Sequence, residues 1–269
     1  MGNSRRKKAQ FLQDHPVCCY CGGQASTIDH CPPRSFFRGR HAPEGYEFPA
    51  CDACNQATKD VEQVVACSFR FTLIEPELDL QMQKLIKGVK NNHPAIFREW
   101  HGTGGAARRR LLREKFGGAG DSMYREGFGA AEIGPDALTM MKQFGDKLLR
   151  ALFYKHAGHR LNGRAFAELV SWINNDDYLD KALQFAPILP EMTNKCTEFD
   201  LGSQFLYRFN CSSDLGVFYA VVRIGERHEY RLFGFSKAGW DALTSHNLDV
   251  STGFERLGLE ATLFPQASE

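Results

Sequence analysis

The sequence predicts an α+β fold in three parts: a cysteine-rich module over residues 1–74, a mainly helical region over 75–194, and an antiparallel sheet with a short helix over 195–269. Three observations carry that expectation. Two Cys-x2-Cys pairs, Cys18/Cys21 and Cys51/Cys54, bracket a segment rich in Gly and Pro. Apolar residues at helical spacing dominate the middle of the chain. Aromatic and β-branched runs separated by turn residues fill the last third.

Length and composition set the frame. The 269 residues suffice for one large domain or two smaller ones. The 21 Phe residues provide for a sizeable core. A formal net charge of +1 names no partner, so any nucleic-acid footprint must be local. No apolar run reaches the roughly 18 residues of a membrane span, so no membrane is expected as a partner. The basic run Arg5-Arg6-Lys7-Lys8 is followed by no apolar stretch, which argues against a secretory signal and for a cytoplasmic protein. Six of the nine Cys lie between Cys18 and Cys54, a distribution that suits a metal site in a reducing compartment better than a disulfide framework.

Taken in order, residues 4–14 read as a short basic helix with Phe11 and Leu12 facing inward, ended at His15-Pro16 because the residue before Pro avoids helical dihedrals. Residues 17–50 predict short strands and loops. Val61, Val64, Val65 and Phe69 give an apolar face to a helix over 52–71. Further helical patterns occupy 77–91 and 94–118, the second interrupted by Gly102, Gly104 and Gly105, and 117–134 reads as a Gly-rich loop or hinge. Pro135 opens a strong helix that Gly158 closes. Ala165–Ile173 predicts another helix. Three strands at 205–209, 216–224 and 230–235 then predict an antiparallel meander, followed by a short helix near 237–244.

The first segment carries chemistry. Cys18, Cys21, Cys51 and Cys54 form two equal knuckles, and zinc takes four thiolates tetrahedrally with Cys-x2-Cys as a favoured bite. Such a zinc is closed and structural. Between the knuckles stands Asp29-His30: a carboxylate suits a hard cation such as Mg2+, and an imidazole suits a general base. Neighbours on an extended segment point to opposite faces, so both serve one site only at a strand end, which Pro32-Pro33 supplies. In a helix starting near Cys51, Asn55, Lys59 and Glu62 fall on one face. Asn55 offers an oxygen to a cation, Lys59 a charge to a phosphate, and Glu62 a further acceptor or a ligand through water.

This pattern, Cys-x2-Cys, Asp-His, Cys-x2-Cys-Asn, resembles the HNH, or ββα-metal, endonuclease superfamily, in particular its zinc-bearing members of the phage endonuclease VII type. Residues 11–66 also resemble bacterial HNH endonuclease proteins. The resemblance implies a metal-dependent endonuclease that hydrolyses phosphodiester bonds, with DNA as the expected substrate. It implies that Asp29 and Asn55 hold a catalytic Mg2+ or Mn2+, that His30 is the general base, and that the four Cys hold zinc. Many relatives place an Asn just before the second Cys pair to orient the base. Residues 45–49 contain none, so Glu47 or a backbone carbonyl is expected to hold His30.

Arg34, Arg38 and Arg40, on the loop between the base and the second knuckle, are candidate phosphate contacts. The densest basic run, Arg108 to Lys115, reads equally as phosphate contacts or a solvated helix face. His156, His159 and His228 read as structural. Two alternatives stand beside the nuclease: a zinc-knuckle module that binds nucleic acid without cutting, and a nuclease subunit of a defence or mobile-element system that needs a partner protein. A homodimer is compatible with each.

Overall fold

The computed structural model describes residues 2–71, 80–101, 105–126, 134–171, 191–193, 196, 201, 204–212, 214, 216–225, 228–245 and 264. After the basic helix α1 (Gly2–Asp14), β1 (Thr27–His30) pairs antiparallel with β2 (Glu47–Ala50). The register sets Thr27 opposite Ala50, Asp29 opposite Phe48 and His30 opposite Glu47. The long connection between them is anchored by buried Phe36 and Phe37, while Arg34, Arg38 and Arg40 are exposed on two 3-10 turns. Cys51 caps α2 (Asp52–Ala57), its Sγ accepting the Cys54 N–H at 3.4 Å. The helix expected over 52–71 is broken at Thr58, whose hydroxyl bonds back to the Asn55 carbonyl at 3.1 Å, and resumes as α3 (Lys59–Phe71). This competition by a Thr side chain for helical backbone is a known cause of such breaks.

The helical middle comprises α4 (Leu80–Asn92), α5 (Pro94–His101), α6 (Gly105–Phe116), α7 (Ala119–Arg125) and α8 (Pro135–Ala157). The expected loop over 117–134 therefore contains a helix. Arg109 and Arg113 of α6 hold Asp121 in the first turn of α7, and this pins the short helix to its neighbour. Gly158, with φ 75°, ends α8 in the left-handed conformation that favours glycine.

The second sheet has five antiparallel strands in the order β3-β7-β6-β5-β4: β3 (Gly163–Ser171), β4 (Glu191–Thr193), β5 (Phe205–Ser212), β6 (Val217–Ile224) and β7 (His228–Ser236). The expected three-strand meander is β5-β6-β7, and α9 (Lys237–Ser245) follows it. β3 corrects the helix expected from Ala165 to Ile173, of which residues 172 and 173 lie outside the described residues. The segment pairs with β7 along its whole length, from Gly163 opposite Ser236 to Ser171 opposite His228. Nine paired residues and the burial of Ala165, Phe166 and Ala167 outweigh the helical preference of Ala, Glu and Leu.

α8 is the axis of the molecule. Every residue from Phe144 to Phe153 is buried, with β3 and β7 on one side and α3 on another. One buried cluster runs through Cys18, Tyr20, Phe48, Val65, Phe144, Leu148, Phe205 and Tyr230, so the cysteine-rich segment, α8 and the sheet share a core.

Candidate functional site

The four knuckle sulfurs converge. The Sγ atoms of Cys18, Cys21, Cys51 and Cys54 all lie within 4.8 Å of one another, so these four cysteines are positioned to hold a metal ion. Four thiolates at about 2.3 Å from a tetrahedral ion stand about 3.8 Å apart, and Cys21 Sγ and Cys51 Sγ are 3.7 Å apart. The Gly23 N–H donates to Cys21 Sγ at 3.4 Å, as the Cys54 N–H does to Cys51. A shared side-chain hydrogen bond lowers the Cys18 thiol pKa and raises that of Cys54, while burial raises that of Cys21, so in the absence of an ion one thiolate is favoured at Cys18 and its neighbours stay protonated. The donor set is compatible with structural zinc. An ion held there would tie the start of α2 to the loop before β1, where Cys19 N–H bonds to the Pro49 carbonyl at 2.9 Å.

Asp29 and His30 follow one another on a paired strand, so their side chains leave opposite faces. Asp29 is buried and points into the core; His30 is half-buried on the outer face. Asp29 Oδ2 accepts the Tyr20 hydroxyl at 2.6 Å and the Lys147 ammonium at 2.7 Å. Lys147, from the middle of α8 and fully buried, also donates to Glu62 Oε1 and, at 3.2 Å, to Thr58 Oγ1. Burial alone would lower the Lys147 pKa, but Asp29 and then Glu62 outweigh it and hold the ammonium above its usual range. Burial pushes the Glu62 carboxyl up against the opposing pull of Lys147.

This arrangement bears on the divalent cation that the resemblance implies at Asp29. At an effective dielectric of about 20, two unit charges 4 Å apart repel by about 4 kcal/mol, and a dication beside an ammonium roughly doubles that. With Lys147 bonded to both carboxylates, the residues present do not fit a second cation there. Asn55 sits on the same side of β1 as Asp29, its Nδ2 donating to Thr27 Oγ1 at 3.4 Å. Glu62 turns inward to Lys147, whereas Lys59 is exposed at the start of α3. Asp29 and Glu62 are thus brought together through a lysine, Asn55 on α2 reaches Thr27 rather than either carboxylate, and His30 lies on the other face of the strand.

His30 faces Glu47 across the hairpin. Burial, then the charge of Arg34, lowers its pKa from the usual value; Glu47 and the Asp29 backbone oppose them without reversing the direction. The imidazole is therefore neutral near pH 7 and able to accept a proton. Arg34, whose charge reaches His30, and Arg38 and Arg40 stay on the exposed loop, the Arg38 N–H bonding to Gln204 Oε1 at 2.9 Å. The basic run on α6 is largely committed within the chain. Arg109 and Arg113 bond to Asp121 at 2.7 and 2.5 Å, Arg110 lies 3.9 Å from Glu114, and Arg108 covers the Tyr124 ring at 4.9 Å. His156 and His228 stack on Phe209 and Phe69 at 3.8 and 4.2 Å, as structural histidines do.

Lys147, Tyr20 and Thr58 belong to the site and were not legible as such in the sequence. A signal existed: Asp146, Lys147 and Arg150 interrupt an otherwise apolar stretch, and charges on a helix buried all round must find partners. Comparison with family models, curated proteins and solved structures returns no match to this chain. Among the described residues, no helix is long and apolar enough to cross a membrane.

Proposed function

We propose that this chain acts on nucleic acid as a phosphodiester hydrolase of the HNH type, with the four cysteines holding one structural zinc and His30 as general base. The observation that carries the reading is the module itself: a β-hairpin whose outer face presents a neutral imidazole, tied through a four-cysteine cluster to the helix that follows. His30 takes a proton from water, the resulting hydroxide attacks phosphorus, the bond from phosphorus to the 3′ oxygen breaks, and that departing oxygen takes a proton from solvent. Arg34, and with it Arg38 and Arg40, holds the phosphate beside it. Lys59, exposed at the start of α3, is a further phosphate contact. No step is assigned to a divalent cation at Asp29.

A second reading is a module that grips nucleic acid without cutting it. The capture of Asp29 by Lys147 favours it, because that carboxylate is where the resemblance places catalytic metal. Purified zinc-loaded protein incubated with supercoiled plasmid, alone, with Mg2+ or Mn2+, and with chelator, separates the two. The first reading expects nicking that falls by about 10²–10⁴-fold in His30→Ala, the usual cost of losing a general base. Binding without nicking, or equal nicking by His30→Ala, overturns it in favour of the second.

A further inference from the structure

We propose that the ammonium of Lys147 permanently fills the position between Asp29 and Glu62 that a divalent cation would otherwise take. This carboxylate pair is then metal-free in the native protein and becomes a cation site only when the lysine is removed.

The geometry is that of a completed coordination shell. An ammonium has three N–H donors, and Lys147 meets three oxygens: Asp29 Oδ2 at 2.7 Å, Glu62 Oε1, and Thr58 Oγ1 at 3.2 Å. The acceptors come from β1, from the break between α2 and α3, and from α3; the donor comes from α8. Asp29 Oδ2 receives a further bond from the Tyr20 hydroxyl at 2.6 Å, and the Lys147 ammonium lies 5.7 Å from the centre of the Tyr20 ring. Tyr20 is itself held by stacking on Phe264 at 4.6 Å.

The lysine is not on a movable arm. Lys147 is fully buried at the centre of α8. One residue before it, Asp146 pairs with Arg150 at 2.6 Å, and Arg150 donates to the Leu161 carbonyl at 3.1 Å. Those bonds fix the register of α8 against the start of β3. Lys147 is thus enclosed by the core on a helix of fixed register, and a cation entering here must displace its ammonium from both carboxylates. Without it, two carboxylates and a hydroxyl remain, a set of hard oxygen donors suited to Mg2+ or Mn2+. A buried and a half-buried carboxylate side by side with no counter-charge would also favour cation uptake.

The test is a titration of Mn2+ into zinc-loaded protein, read by loss of the free-Mn2+ electron paramagnetic resonance signal and by thermal midpoint. Both readouts are independent of any hydrolysis. Wild type and Asp29→Asn are expected to behave alike, with no midpoint rise from Mn2+. Lys147→Met, and Lys147→Ala, which leaves more room, are expected to take up one Mn2+ per chain and to gain thermal midpoint from it. That gain should be lost when Glu62→Gln is added. A variant that folds only in Mn2+ counts as support. Mn2+ uptake by wild type that Asp29→Asn abolishes overturns the proposal, as does failure of Mn2+ to bind or to rescue both lysine variants.

Discussion

At the scale of single residues, the same side-chain type has different fates according to what surrounds it. His30 and His156 are both half-buried and both have lowered pKa values, yet their neighbours differ. His30 faces a carboxylate and an exposed arginine, the setting of a base. His156 is stacked on Phe209, with its Nε2 2.9 Å from the Tyr207 hydroxyl, which in turn meets the Tyr46 hydroxyl at 3.0 Å. Burial, and then the charge of Lys155, brings His156 down from 6.5 to about 4. Its folded pKa lies below its unfolded one, so the unfolded state binds more protons between those values. Stability is therefore full above about pH 6.5 and falls as pH drops towards about 4. Urea unfolding at a series of pH values checks this. His156→Gln should show a shallower decline than wild type across that window, and parallel curves would contradict the assignment. Lys147 is the opposite case, a residue whose charge is kept because its partners are buried with it. Its identity as a site residue was hidden in the sequence, since its acceptor on Glu62 lies 85 positions away and no local spacing links the two.

At the scale of elements, what was legible followed local pattern, and what was not followed contacts between distant segments. β5, β6 and β7 were readable because aromatic and β-branched residues are concentrated in them and Gly225 turns the chain between β6 and β7. The start and stop of α8 were readable from Pro135 and Gly158. β3 was not, because Ala165, Ala167, Glu168 and Leu169 prefer a helix in isolation. Its strand state depends on the open edge of β7 and on how closely α8 lies over it. Gly145 of α8 shows how close: a Cβ placed there would run into the Cβ of Ala167 on β3 and approach the Tyr230 ring at 3.3 Å. Two opposing effects then meet in Gly145→Ala. Helix propensity favours Ala by about 1 kcal/mol, while overpacking a well-packed core costs about 1–3 kcal/mol. Because the obstructing atom belongs to a strand held on its far side by β7, the second effect should win. Equilibrium denaturation is expected to show a net loss of up to about 2 kcal/mol; a gain would mean that α8 and β3 can separate at little cost.

At the scale of the whole molecule, the four-cysteine cluster and the C-terminal sheet belong to one packed body. Cys18, Cys19 and Cys54 share a buried cluster with Phe144, Phe205 and Tyr230. The cysteine-rich module also touches α8 through polar bonds, with Lys155 Nζ donating to the Gly45 carbonyl at 2.7 Å and His15 Nδ1 lying 3.1 Å from the Tyr154 hydroxyl. The spacing of the cysteines announced the four-cysteine cluster, but nothing in it announced that α8 would be the surface on which the module rests. That connection decides what metal loss does. Structural zinc contributes an apparent 10–16 kcal/mol at neutral pH, whereas a domain's net stability is about 5–15 kcal/mol. If the module were a separate bead, removing zinc would melt it and leave the sheet intact. With a shared core, loss of the module exposes α8, and Lys147 is stranded without Asp29 and Glu62. Zinc removal by a strong chelator under reducing conditions is therefore expected to unfold both parts in a single transition. Hydrogen exchange followed by mass spectrometry gives the check: amides of β1–β2 and of β5–β7 should lose protection together, with β5–β7 protection surviving chelation as the result that would refute the single-body account.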